Sequence, residues 1–337
     1  MVQSALETVA SGRNLSFQEM DGVIDQIMQG RCSDQEIVRF LVALSAKGES
    51  VEELAGAAAA LRKHMTPIRS RHTCLIDTCG TGGDASHTFN ISTAAAIVTA
   101  AAGTPVAKHG NRSASSRSGS ADVLAELGVD ILAPVNVVER CLDELGIGFC
   151  FAPQLHPSMK NVAAARKQIA APTIFNLIGP LCNPASAPFQ LLGVGRPHLQ
   201  SRMASALAIL QTKRAIVVTG EDGLDEVTLS GATRVIEVSS EGMSNFTWQP
   251  HDFALAVSGR ESLQIDGPAA SAALIRKVLA GESGPPRDIV LANSAAAVWV
   301  ASSGLSLTEC MLRAVEAIDS GDASRLLSRL AVLSHSR

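Results

Sequence analysis

The stretch Asp77-Thr78-Cys79-Gly80-Thr81-Gly82-Gly83-Asp84 constrains the fold of this chain more than any other. The short apolar run Leu75-Ile76 precedes it. Thr88, Asn90, Ile91, Ser92 and Thr93 follow, leading into an alanine-rich run that ends at Ala102. That order predicts a strand, a glycine-rich turn and a helix. Glycines there let successive backbone N–H groups converge, because no Cβ blocks close approach and positive φ carries no penalty. The helix start adds its own N–H groups and the positive end of its dipole. The product is a cradle for an anion, phosphate above all. No Gly-Lys-Ser/Thr follows, so it is not a P-loop, and Gly80, Gly82 and Gly83 do not have dinucleotide-turn spacing.

A second cluster, Lys108-His109-Gly110-Asn111-Arg112, closes the apolar run Pro105-Val106-Ala107. Ser113, Ala114, Ser115, Ser116, Arg117, Ser118, Gly119 and Ser120 continue it. Lysine offers a point charge and arginine a planar fork of donors, while hydroxyls and glycine N–H groups complete a polyanion site. Two such loops at the ends of consecutive strands would face one crevice of an open sheet.

Strand-like runs near 74–77, 104–107, 147–151, 191–195, 215–219 and 234–238 alternate with helical patterns. The helical patterns lie at 91–102, 120–128, 136–145, 199–211, 270–280, 289–302, 308–319 and 323–334. This alternation predicts an α/β fold with a mostly parallel central sheet flanked by helices. The first residues follow another pattern. Ser16-x-x-Glu19, Ser33-x-x-Glu36 and Ser50-x-x-Glu53 are capping boxes at equal spacing, each opening an apolar helical stripe. We expect a small all-helical unit over 1–70 and an α/β unit over 71–337. The strand-poor, proline-punctuated stretch 156–185 should cross back to the helical unit and leave a cleft between the two. Three short helices bury little alone. A homodimer through this unit is expected, with Phe40 and Leu44 on the contact stripe.

Hydrophobic residues make up 46% of the 337-residue chain, ample for a core, and the net charge of −4 gives no help to binding a nucleic-acid backbone. Seven cysteines without a C-x-x-C pair predict reduced thiols in a cytoplasmic protein. The N-terminus lacks the pattern of a signal peptide. The uncharged stretch 289–308 is diluted by Asn293, Ser294, Ser302 and Ser303, which predicts a buried helix and no membrane span.

Asp225-Glu226 are adjacent, and neighbours on a strand point to opposite faces, so they can serve one site only on a turn. Local sequence leaves two readings, an acidic surface turn or a magnesium-holding pair. Arg166, beside Ala163, Ala164 and Ala165, is either a surface arginine or a fork for a carboxylate. His156-Pro157 is either a helix-start turn or part of a pocket.

Six segments stand in one order: DTCGTGGD, TFNISTAAA (88–96), KHGNRSASSRSGSADVLAELG (108–128), HPSMKNVAAARKQI (156–169), TIFNLIGPLCNPA (173–185) and LDEVTLSGAT (224–233). Together, over roughly residues 15 to 330, the chain resembles the anthranilate phosphoribosyltransferase family of nucleoside-phosphorylase-like transferases. The resemblance implies transfer of a 5-phosphoribosyl group from 5-phosphoribosyl 1-diphosphate to the amine of anthranilate, releasing pyrophosphate. It implies that Gly80, Gly83, Asp84, Thr88, Asn90, Ile91, Ser92, Thr93, Lys108 to Ser116 and Ser120 hold the phosphosugar. Arg166, Asn111, the Gly80 backbone and His156 would surround anthranilate. Two magnesium ions per subunit are implied, one on Asp225 and Glu226, the second touching Glu226 and Ser92. No nucleophile or dedicated base is implied. Two positions depart from the family pattern: Ala85 stands where glycine is expected and Arg117 where lysine is. A pyrimidine nucleoside phosphorylase of the same fold is the alternative enzyme, but it leaves Asp225-Glu226 unexplained. A non-catalytic nucleic-acid-binding relative would lack that pair.

Overall fold

The computed structural model describes residues 1–82, 86–113, 117–169 and 171–336. Gly83, Asp84, Ala114, Ser115 and Ser116, together with Ala85, lie outside the described residues.

Four helices open the chain: α1 (Val2–Ala10), α2 (Phe17–Met28), α3 (Asp34–Lys47) and α4 (Val51–Lys63). The last three begin at the expected capping boxes, in which each serine hydroxyl accepts from the glutamate N–H and each glutamate answers the serine N–H. Helix α1 carries no such box, and nothing in the sequence pattern flagged it. Glu53 differs from the other two glutamates because it is fully buried. It accepts from the backbone N–H groups of Leu15 (2.9 Å) and Ser50 (2.7 Å) and pairs with Lys47 at 2.8 Å. One carboxylate thus ties the starts of two helices and the end of a third.

The strands and helices that follow are β1 (Ile76–Gly80), α5 (Ile91–Ala101), β2 (Val106–Gly110), α6 (Ser120–Glu126), α7 (Val135–Leu145) and β3 (Ile147–Phe151). Next come the short α8 (Ala152–Leu155), then α9 (Lys160–Gln168) and α10 (Ile174–Leu177), which occupy the strand-poor stretch. The sheet resumes with β4 (Phe189–Gly193), α11 (Pro197–Ile209), β5 (Arg214–Gly220), β6 (Thr233–Ser239) and β7 (Gly242–Trp248). Helices α12 (Pro268–Leu279), α13 (Pro285–Ala301), α14 (Leu307–Asp319) and α15 (Asp322–Ser334) close the chain.

The seven strands form one sheet in the order β3-β2-β1-β4-β5-β6-β7. The pairings from β3 to β5 are parallel, and β6 and β7 add an antiparallel edge. Strand β7 was not expected. Its residues are exposed from Gly242 to Asn245, so it lacks the apolar run by which buried strands are recognised. Strands β1 and β2 also run further than expected, β1 past Asp77 to Gly80 and β2 into Lys108 and His109, and Asp77, Lys108 and His109 are all buried. Apolar runs mark a buried strand only until it reaches partners that satisfy charge.

Two cores lie on the two faces of the sheet. One joins α5, α6, α7 and α12–α15. The other joins α1–α4 to α9, α10, α11 and the opposite face of β4 and β5. The apolar stripes of the N-terminal helices are therefore covered within the chain. Phe40 and Leu44 are fully buried, which corrects their assignment to an exposed contact stripe. Val162, Ala165 and Phe175 supply the covering surface. Among the described residues no helix is long and apolar enough to cross a membrane.

Candidate active site

Strands β1 and β4 are neighbours, and at their C-terminal ends the connection from β1 runs one way, to β2, and that from β4 the other way, to β5. Such a switch point opens a crevice in a parallel sheet. The irregular segment 224–231 enters it. Leu224, Val227 and Leu229 are buried, and Asn293 of α13 clamps Val227 through both its N–H and its carbonyl, each at 2.9 Å. The acidic pair between those anchors is aimed into the protein. Asp225 accepts from the Gly82 N–H at 2.9 Å and Glu226 from the Ser92 N–H at 3.1 Å. Ser92 lies in the first turn of α5, where a carboxylate also meets the positive end of the helix dipole. Gly80 and Gly193, paired across β1 and β4, sit directly beneath Asp225. A Cβ on Gly80 would overlap the Asp225 carboxylate, and one on Gly193 its main chain. These two glycines are required by close approach.

Lys108 lies beneath this crevice, 4% exposed. Its ammonium donates to the Thr78 carbonyl at 2.6 Å and to the Ser92 hydroxyl at 3.3 Å. Burial pushes its proton affinity down, and the charges of Asp77, Cys79, Glu226 and Asp225 push it back up. The sequence places this lysine in an anion-binding cluster after an apolar run; it lies within β2, which carries it inward. Ser92 is thereby brought against both Glu226 and Lys108. Burial and the neighbouring Asp77 raise the Cys79 thiol well above its ordinary range, so it is no nucleophile.

The described ends of the serine-rich loop are held by Asp122, in the first turn of α6. It accepts from the N–H groups of Ser113 (2.9 Å) and Gly119 (3.1 Å) and pairs with Arg112 at 2.9 Å. Burial would raise this carboxylate, but those three donors outweigh it and hold it below its usual value. Asp122 had no expected role. Arg112 faces Asp122, and Asn111 turns its side-chain oxygen to the Arg112 N–H at 2.7 Å. The Ser120 hydroxyl donates to the Asn111 carbonyl at 3.3 Å. Arg117 reaches the Ile265 carbonyl at 3.1 Å and the Asp266 carboxylate. The side chains of Ile91 and Thr93 are buried, whereas Thr88 is half-buried and forms a bridge to Gln264.

The other side of the crevice is built by 156–175. His156 and His109 are buried with their Nε2 atoms 3.1 Å apart. The His109 N–H donates to Asp77 at 3.1 Å. Burial, and for His109 the facing His156, pull the two imidazoles down to about 3 and about 4, so both are neutral at neutral pH. Arg166, on α9, is half-buried with its guanidinium 5.8 Å from the centre of the Phe175 ring, and it makes no ion pair among the described residues. It forms no hydrogen bond with Asn111 or Gly80 among those residues.

Among the described residues no group of three or more His, Cys, Asp or Glu could hold a metal by itself. The oxygen donors of Asp225, Glu226 and Ser92 suit a hard cation that keeps waters and shares a substrate's phosphate oxygens. Magnesium fits that set.

A helical bundle docked on an open α/β sheet, with glycine- and serine-rich loops and an acidic pair at the switch point, is the architecture that the glycosyl transferase family models match. The family described as "Glycosyl transferase family, helical bundle domain" matches residues 3–65, and "Glycosyl transferase family, a/b domain" matches 72–324. An anthranilate phosphoribosyltransferase of Rhodopirellula baltica is 49% identical over 97% of this chain and 96% of its own length. One from Clostridium kluyveri is 46% identical over 96% of both. The crystal structure of the Thermus thermophilus enzyme superposes with a TM-score of 0.92 at 42% identity, covering 98% of this chain and 99% of that one. The Saccharomyces cerevisiae enzyme in complex with 5-phosphoribosyl 1-diphosphate (PRPP) and Mg superposes at 0.91 and 29% identity, over 100% and 98%. The chain belongs to the anthranilate phosphoribosyltransferase family.

The paired imidazoles make stability depend on pH in a direction opposite to a salt-bridged histidine. Their folded values lie below the ordinary 6.5. Below that pH the unfolded chain takes up protons that the folded chain refuses, so stability should fall as pH drops from 6.5 towards 4. The melting temperature of His109→Gln/His156→Gln should fall less steeply between about pH 6.5 and 5, above the ordinary carboxylate range. Equal slopes in the variant and the wild type would show that the pair titrates normally.

Proposed function

We propose residue roles for the reaction that the family carries out: transfer of the 5-phosphoribosyl group of PRPP to the amine of anthranilate, giving N-(5-phosphoribosyl)anthranilate and pyrophosphate in tryptophan biosynthesis. The observation that carries this reading is the docking of Asp225 and Glu226 on N–H groups of both elements that follow β1. It supports the acidic pair as the metal-holding group and the surrounding loops as the phosphosugar cradle. Gly80, Gly83, Asp84, Thr88, Asn90, Ile91, Ser92, Thr93, Lys108 to Ser116 and Ser120 would hold the phosphosugar, Ile91 and Thr93 through their main chain. We assign one magnesium to Asp225 and Glu226 and a second to Glu226 and Ser92. The metal supplies neutralisation of the departing pyrophosphate. Relatives from S. cerevisiae were solved with PRPP and Mg and with 4-fluoroanthranilate.

In the reaction the bond from C1 of the ribose to pyrophosphate breaks, the C1–N bond forms, and the amine proton is released. Positive charge builds on the sugar ring as the leaving group departs. The buried Lys108 ammonium is in place before substrate arrives, so it would stabilise negative charge on pyrophosphate without reorganising, and the two loops would add N–H donors. Arg166 would grip the anthranilate carboxylate and set the amine behind C1. Its half-buried guanidinium lacks an ion-pair partner among the described residues, which supports that role. His156, neutral and paired with His109, would border the aromatic ring. An aniline nitrogen is weakly basic, so no dedicated base is assigned.

We also divide the chain into a helical domain over 1–70, joined by helices of 156–185, and an α/β catalytic domain over 71–337. Seven unpaired thiols support a cytoplasmic setting. For the homodimer through the helical domain, the exposed face of α3 replaces the buried Phe40 and Leu44. Val42, 48% exposed, is its centre.

Asp225→Asn/Glu226→Gln should abolish turnover at millimolar Mg²⁺ and leave the melting temperature near that of the wild type, because amide oxygens still accept from Gly82 and Ser92. Near-normal activity in the folded variant would remove the metal role. Arg166→Ala should lower kcat/KM for anthranilate by roughly 10- to 150-fold, the loss of a hydrogen bond to a charged group worth about 1.5–3 kcal/mol. Binding of PRPP, measured by calorimetry, should be unmoved; an equal loss for both substrates points to general damage to the cleft. Val42→Glu should convert a dimer into a monomer by light scattering. A wild type that is monomeric at micromolar concentration refutes the assembly, and a variant that stays dimeric moves the interface elsewhere.

A further inference from the structure

The two loops assigned to the phosphosugar arise from different strands, β1 and β2, yet a phosphate cradle works only at one spacing between them. A third segment, Leu263 to Ser271, crosses both. On one side it pairs with the approach to α5: the Phe89 N–H donates to the Leu263 carbonyl at 2.8 Å, the Ile265 N–H donates to the His87 carbonyl at 3.0 Å, and Thr88 bridges Gln264. On the other side Arg117, at the end of the serine-rich loop, holds the Ile265 carbonyl at 3.1 Å and the Asp266 carboxylate. Where the segment enters α12, Ser271 is fully buried. Its hydroxyl accepts from the Asn90 N–H at 3.0 Å and donates to the Asn90 side-chain oxygen at 2.8 Å. That same oxygen accepts from the Ser118 hydroxyl at 2.7 Å, and the Asn90 amide donates to the Ser118 carbonyl at 3.0 Å.

Asn90 is thereby the knot between three segments. Its side-chain oxygen takes two hydroxyl donors, one from each neighbour, so its rotamer is set by both. A buried hydroxyl that uses its one proton and one lone pair on the same residue orients that residue with little freedom. Ser271 lies on α12, outside both loops.

We propose that Ser271, at the end of the strap 263–271, is a positioning residue for PRPP: through Asn90 it fixes the distance between the loop that follows β1 and the loop that follows β2. This rests on the reading that those loops hold the phosphosugar. Removing the hydroxyl takes two of these four hydrogen bonds from Asn90 and leaves its side chain held by Ser118 alone, so the strap no longer sets its rotamer or the spacing of the loops. The cost falls on PRPP, whose phosphates span both loops. It does not fall on anthranilate: of its proposed ligands, Arg166 and His156 lie across the crevice, and Gly80 ends β1 and Asn111 follows β2, where sheet pairing holds the backbone.

The test is steady-state kinetics on Ser271→Ala, Arg117→Met and Asn90→Ala, each with a melting curve. Ser271→Ala should raise KM for PRPP about tenfold, the size expected for losing a buried hydrogen bond, with KM for anthranilate unmoved. Ser271→Cys, which keeps a weak donor, should recover part of the loss. Arg117→Met loosens the exposed end of the same strap and should raise KM for PRPP about two- to fivefold, as for an exposed ion pair. A folded Ser271→Ala with unchanged KM for PRPP, or with both KM values raised equally, overturns the proposal. If Ser271→Ala does not fold, Arg117→Met decides: an unchanged KM for PRPP overturns it. Asn90→Ala separates the two levels. If it too leaves PRPP binding unmoved, the assignment of these loops to the phosphosugar fails. If it alone weakens PRPP binding, only the role of the strap fails.

Discussion

The catalytic crevice depends on one constraint: two carboxylates, adjacent in sequence, must be brought down onto N–H groups of two separate elements. Asp225 meets Gly82 and Glu226 meets Ser92. Each bond joins segments more than a hundred residues apart, so neither can form until β1, β4 and the helices behind them are in place. The burial of Leu224, Val227 and Leu229 drives the segment in, and the Asn293 amide holds the backbone where apolar contacts alone would leave its polar groups unsatisfied. Lys108 then balances acidic charge from below. Among the described residues its ammonium donates to the Thr78 carbonyl and the Ser92 hydroxyl.

The same arrangement explains why the enzyme can act without a nucleophile. Chemistry at C1 of the ribose needs a stabilised leaving group and an amine at the right place. On the proposed roles, fixed donors and a buried cation would meet the first need. Arg166 would meet the second from the other core, through α9, whose Val162 and Ala165 are packed against α1–α4. The N-terminal helices would then serve as a mount for Arg166 rather than contribute groups of their own.

Much of this was legible in the sequence because it rests on local rules. The glycine turn and the three capping boxes announce backbone conformations and N–H groups seeking partners. For the acidic pair and Arg166, which local sequence left open, only the resemblance to the family offers a role. Other features were hidden for physical reasons. Strands β1 and β2 run past their apolar stretches because Asp77, Lys108 and His109 satisfy one another's surroundings inside the sheet, a tertiary fact. Asp122, Asn293 and Ser271 act on backbone groups far along the chain and look like ordinary helix residues. Phe40 and Leu44 declare an apolar stripe but say nothing of what covers it, and α9 and α10 turn out to do so.

Gly80 and Gly193 leave the Asp225 segment just enough room. Gly193 belongs to β4, has no side chain and is not among the residues assigned to either substrate. Yet a single methyl there would occupy the place of the Asp225 main chain and lift both carboxylates off their seats. The crevice is thus as vulnerable to an added carbon as to a lost charge. A survey confined to side chains that touch ligands would pass over the position where the smallest change displaces the most.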